Sequence, residues 1–145
     1  AAAKSGFVNT EKICRDAAPA VRAQKKIEKE FEKRDQEMQR LAKQLQAVQE
    51  SLEKNSVTMS ETDKRNKERE FNDLNRDFQR KQREFREDLN QRRNEELAAV
   101  LERANKTIKA IAEAEKYDVI LQEAVYASPK LDITDKVIKA LADGK

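Results

Sequence analysis

The stretch that decides the fold is IEKEFEKRDQEMQRLAKQLQAVQESL, residues 27–52. Its apolar residues fall at Ile27, Phe31, Met38, Leu41, Leu45, Val48 and Leu52, with steps of 4, 7, 3, 4, 3 and 4. These steps keep a single heptad seam, with Arg34 and Asn55 also at seam positions, and charged or amide side chains fill the other faces. That is the periodicity of a coiled coil. Downstream, Asn55 to Ser60 break the pattern, and Ser60-Glu61-Thr62-Asp63 resembles a capping box, whose hydroxyl and carboxylate can each take an orphan amide. A second helix follows. Phe71, Leu74, Phe78 and Phe85 keep the seven-residue spacing, and Leu89, Leu97, Leu101, Ala104, Ile108 and Ile111 drift toward a period of 3.6. No proline interrupts residues 20 to 128. Helices of about 35 and about 54 residues would be roughly 53 and 81 Å long, and a connection this short makes them antiparallel neighbours.

The two chain ends read differently. Ser5-Gly6-Phe7-Val8-Asn9 carries an apolar pair of β-propensity; Thr10 can cap a short helix over Glu11 to Ala17, and Pro19 suits a first helical turn. Tyr117 to Gln122 and Ala124 to Ala127 are short β-branched and aromatic runs around Gln122-Glu123, which predicts a β-hairpin. Ser128-Pro129 ends it. Asp132 or Thr134 can then cap a last amphipathic helix, with Val137, Ile138 and Leu141 facing inward, that stops at Asp143-Gly144. Because the second helix outruns the first, the β elements of both ends should meet at the base of the hairpin. The expected fold is α+β, mainly α: a hairpin arm over 21–96 with its tip near 55–60, on a small β-containing body formed by 1–20 and 97–145. So small a body is marginal by itself and its strands have open edges, so oligomerisation should complete it.

Composition agrees with long solvated helices and excludes much chemistry. Of the 145 residues, 41% are charged and 37% hydrophobic, and 31 Lys/Arg nearly cancel 28 Asp/Glu; ordinary globular chains are about 25% charged. With no His there is no imidazole base and no zinc site of the usual type. Two glycines, Gly6 and Gly144, cannot build a phosphate loop. No enzyme, cofactor or metal is expected. Cys14 has no intrachain partner and reads as a small buried residue beside Ile13. No run approaches the ~18 apolar residues of a membrane span, and Ala1-Ala2-Ala3 opens with neither a basic nor an apolar leader region, so no signal peptide is read here.

The order of elements is more specific than any of its parts. Gly6-Phe7-Val8-Asn9, Thr10-Glu11-Lys12-Ile13, the charged hairpin, Tyr117-Asp118-Val119-Ile120-Leu121, Ala124-Val125-Tyr126 and Asp132-Ile133-Thr134-Asp135-Lys136-Val137-Ile138 together resemble the Skp/OmpH family of periplasmic chaperones. Ser5, where that family tends to have an apolar residue, departs from the pattern. The resemblance implies a homotrimer whose strands build a shared body from Phe7, Val8, Val119, Ile120, Leu121, Val125 and Tyr126. It also implies three arms around a cavity that holds unfolded outer-membrane β-barrel proteins without nucleotide, in the periplasm, a leader having been removed.

On the arm, Phe31, Met38, Leu45, Phe71, Phe78 and Phe85 are the candidate client contacts, against the alternative that they serve only the interhelical seam. The charged run 76–93 reads mostly as a solvated helix face laced by i,i+3 and i,i+4 pairs, with Arg83, Arg92 and Arg93 as a candidate anion patch, the Arg92-Arg93 pair suited to anionic lipid headgroups or acidic client segments. Two other readings remain. A coiled-coil spacer or a prefoldin-like adaptor would lack outer-membrane clients, but a spacer needs no β body and a prefoldin-like chain puts its strands between its helices. Nucleic-acid binding is disfavoured, because residues 61–96 hold 11 basic and 11 acidic side chains where phosphate binding wants an uncompensated positive face.

Overall fold

A computed structural model describes residues 3–143 of the chain. Two long helices dominate it: α2, Ala18–Asn55, and α3, Glu61–Ala114. Before them come strand β1, Ser5–Phe7, and helix α1, Thr10–Asp16; after them come β2, Val119–Leu121, a 3-10 turn, Pro129–Leu131, and helix α4, Thr134–Asp143. The chain divides into two compact units, one of residues up to Ile27 and from Arg92 onward, the other Glu28–Gln91.

In the first unit β1 and β2 pair in parallel, Ser5 opposite Val119, Gly6 opposite Ile120 and Phe7 opposite Leu121. Parallel neighbours need a long crossover, and here the whole of α1, α2 and α3 supplies it. On its other side β1 meets Asp132 through Phe7, whose carbonyl accepts from the Ile133 amide at 2.9 Å. This strand is therefore the centre of the small sheet, and β2 is its edge. Gly6 is needed there: a Cβ at that position would come within 2.9 Å of Ile120 Cδ1 and 3.0 Å of Tyr117 Cε1. The core beneath consists of Val8, Ile13, Ala17, Ala104, Ile108, Ile133, Val137 and Leu141, with Ile111, Tyr117, Ile120 and Ile138 packed against it. Burial of these side chains is what holds the two chain ends together.

Several sequence-based expectations are corrected. The cap of α1 is Asn9, whose side chain accepts from the Lys12 amide, while Thr10 is already helical. Asn and Thr can both cap, and the choice falls to Asn9 because β1 ends at Phe7 and leaves it extended. No hairpin follows β2: residues 122–128 form no strand, because β2 takes its partner from the N-terminal end and Ala124 to Ala127 find no ladder partner within the described residues. Asn55, expected in the seam, is exposed at the last position of α2. On α3, Leu97 is exposed and Val100 is buried in its stead. The buried stripe runs Val100, Ala104, Ile108 at steps of four, which leaves Leu97 off the face.

The capping of the other helices follows the residues. Ser60 Oγ accepts from the Asp63 amide at 3.1 Å at the start of α3, and Pro19 is the second residue of α2. Asp132 and Thr134 share the start of α4: the Asp132 carboxylate accepts from both the amide and the hydroxyl of Thr134, and Thr134 Oγ1 accepts from the Asn9 amide at 2.9 Å. This satisfies the one buried polar side chain among the described residues. The helix ends at Asp143; Gly144 lies outside the described residues. At the C-terminus of α3, Lys116 adopts a left-handed φ of 59°, and the amides of Tyr117 and Lys116 reach back to the carbonyls of Ala112 and Glu113 at 2.8 and 3.4 Å. These are the two bonds of a Schellman cap.

Candidate functional site

Within Glu28–Gln91 the hairpin register is set by one cluster. Phe31 and Phe85 meet edge to face, with ring centroids 5.6 Å apart. The guanidinium of Arg34 lies 5.4 and 5.6 Å from the two ring centres, and pairs with Asp88 at 2.9 Å. An Arg at a seam position is tolerated because its planar head stacks on aromatic faces while a carboxylate takes its charge. Counting in heptads from the Phe31–Phe85 pair, α2 rising as α3 falls, sets Met38 level with Phe78 and Leu45 level with Phe71. The six candidate client residues are thus three cross-helix levels of one seam.

Their burial is uneven. Phe31 is enclosed, as are Leu41 and Val48 nearby. Met38, Leu45, Phe71, Phe78 and Phe85 are half-buried, as are Leu74 and Leu89, and in this unit no described α3 residue is fully buried. Each helix turns one stripe toward the other, and the flanks of large side chains remain in contact with water. Bordering ion pairs occur at Arg40–Glu37, Arg80–Asp77 and Arg80–Glu84; hydrogen bonds from Arg40 and Arg80 hold the pKa of the Glu37 and Asp77 carboxyls below the ordinary value. The surface is therefore apolar in a strip and charge-balanced on both sides.

Of the candidate anion-contacting arginines, Arg83 and Arg93 are exposed, and Arg92 is engaged by Glu95 at 2.7 Å and Glu96 at 2.9 Å. Sequence spacing shows Glu95 and Glu96 three and four residues on from Arg92, which is the signal for that engagement.

In the other unit Val8 is fully enclosed in the chain's own core and offers no surface to a second chain. Phe7 and Ile120 are half-buried, Val119 and Leu121 are exposed along the β2 edge, and Val125 and Tyr126 are exposed by 110% and 81%. Cys14 is half-buried, and burial pushes its thiol pKa up, away from a reactive thiolate. Among the described residues no three His, Cys, Asp or Glu side chains are placed to hold a metal ion, and no helix is long and apolar enough to cross a membrane.

Comparison with known proteins shows the family by sequence and the fold by structure. The family model "Outer membrane protein (OmpH-like)" matches residues 4–141. The chain is 30% identical over 140 residues to chaperone protein Skp of Yersinia enterocolitica, covering 95% of this chain and 85% of that one. It is 32% identical over 136 residues to an uncharacterized protein of Aquifex aeolicus, covering 92% and 83%. The crystal structure of an OmpH-like protein from Caulobacter crescentus superposes with a TM-score of 0.78, covering 99% of this chain and 86% of that one at 17% identity, a likeness of fold. With the family model spanning nearly all of the chain and Skp chaperones among its relatives, this protein belongs to the OmpH-like family of outer membrane chaperones.

Proposed function

We propose that the protein is an ATP-independent holdase that binds unfolded outer-membrane proteins between the arms of a homotrimer in the periplasm and keeps them soluble. The observation that carries this reading is the half-covered seam at Phe71, Phe78 and Phe85. Apolar area left in water is worth about 25 cal/mol per Å² when a client covers it. One such strip binds weakly, whereas several strips acting on one flexible chain bind through effective concentration. Exposed Val125 and Tyr126, together with the open β2 edge, support assembly of the other unit.

The test is an aggregation assay with a denatured barrel protein diluted from urea, with and without ATP. Wild-type protein should suppress light scattering equally in both conditions. A variant in which Gln39 to Phe78 are replaced by a short glycine-serine turn should stay assembled and lose the suppression. Full activity of that variant would refute client binding on the hairpin, and a requirement for ATP would refute the passive mechanism.

A further inference from the structure

Charge is unevenly shared between the two units. Of 31 Lys/Arg and 28 Asp/Glu, residues 28–91 hold 15 and 16, leaving 16 and 12 in the other unit, which therefore carries the positive excess. Part of that excess lines a cavity of about 190 Å³ between the start of α2 and the C-terminal half of α3, wholly within that unit. From α2 come Pro19, Arg22, Ala23 and Lys26, and from α3 Glu96, Ala99, Val100 and Arg103. Each set follows an i, i+3, i+4, i+7 spacing and so occupies one helix face. Buried Pro19 and Val100 and the short side chains of Ala23 and Ala99 make an apolar floor.

The cavity's only carboxylate is already committed. Glu96 accepts from Arg92 at 2.9 Å and lies 3.5 Å from Lys26, and these two cations hold its pKa below the ordinary range. Arg22 and Arg103 are exposed at the rim with no carboxylate partner among the described residues. Most arginines of the second unit's α3 face sit three or four residues from an acid, as Arg76 and Arg80 do.

We propose that this cavity docks an acidic segment of an extended polypeptide, one carboxylate pairing with Arg22 and Arg103 while an adjacent apolar side chain covers Ala23 and Ala99. The inference deepens the holdase reading and rests on it for the nature of the client. A guanidinium matches a carboxylate in a planar, two-pronged geometry, and the concave apolar floor admits a side chain. A flat bilayer surface would reach the rim cations and leave that floor uncovered, so the shape favours a peptide.

The experiment uses the full chain and a fluorescein-labelled peptide alternating leucine and glutamate, with a twin carrying glutamine for each glutamate, read by fluorescence anisotropy at low salt. Wild type should bind the glutamate peptide about threefold to tenfold more tightly than its twin, the range expected for one or two exposed ion pairs. Arg22→Gln with Arg103→Gln should erase that preference without changing affinity for the glutamine twin, and Arg22→Lys with Arg103→Lys should restore part of it. Lys43→Gln with Arg86→Gln, which alters exposed cations of the other unit, should leave the preference intact. An unchanged preference in the first double variant overturns the proposal, as does equal affinity of wild type for the two peptides. So does a double variant that loses only its co-sedimentation with phosphatidylglycerol vesicles. Failure of wild type to suppress barrel-protein aggregation, with the peptide preference present, would instead refute the holdase reading and leave the docking site standing.

Discussion

Val125→Asp separates assembly from folding. Val125 is exposed by 110% in the single chain, more than in the extended reference peptide, and it lies outside the core cluster. A charge there costs the isolated chain nothing beyond the ±0.5 kcal/mol typical of surface substitutions. If the residue is covered in a homotrimer, each copy forfeits the burial of a valine side chain, about 1.5 kcal/mol at the low end. Three copies then lose about 4.5 kcal/mol, which is about three orders of magnitude in the association constant. Desolvation of the carboxylate adds to this. Ile120→Asp is the contrast, since Ile120 packs on the core of its own chain and its replacement should lower the melting temperature even of dissociated protein. Sedimentation velocity across a concentration series, paired with circular-dichroism melting, reads both quantities. Wild type should sediment as a trimer at micromolar concentration, and Val125→Asp as a folded smaller species. A Val125→Asp protein that remains a trimer throughout would falsify the placement of this segment in the interface, and a monomeric wild type would refute the trimer itself.

Two further outcomes follow from local chemistry. Lys116 holds a left-handed φ at the end of α3, a conformation that costs an L-residue roughly 1–2 kcal/mol; Lys116→Gly should therefore stabilise the chain by about 0.5–1 kcal/mol after glycine's extra unfolded-state freedom is counted, and an unchanged or lowered denaturation midpoint would contradict the Schellman assignment. Glu37, Asp77 and Glu96 all have pKa values held below the ordinary carboxylate value by hydrogen bonds from Arg40, Arg80 and Arg92. A folded pKa below the unfolded one stabilises above the unfolded value, about 4, and that stabilisation disappears as pH falls through the folded values. The melting temperature should stay level from pH 7 to about 5 and decline below about 4, and a decline already complete at pH 5 would argue against these pairs.

The long helices and their connection were legible in the residues alone, because heptad spacing over Ile27 to Leu52 and Phe71 to Phe85 states which face is buried without reference to anything distant. Ser60 as a cap, Pro19 in a first turn, and Val137 with Leu141 as an inward face are local features of the same kind. The family resemblance, too, rested on the linear order of such segments. What the linear pattern could not contain was pairing. Two runs separated by Gln122-Glu123 look like a hairpin, yet β2 lies beside β1, whose residues precede it by more than a hundred positions; strand partners are chosen by where α1, α2 and α3 return the chain, and propensity carries no information about that. The same holds for Arg34, visible as a polar seam residue but given its meaning by two rings and Asp88 on the facing helix, and for Val100 in place of Leu97, where the face of α3 is fixed by the core it meets. Periodicity is a property of one helix and is written in its sequence, whereas register, strand partnership and the cavity between Arg22 and Arg103 are properties of two segments meeting, and only the tertiary structure decides them.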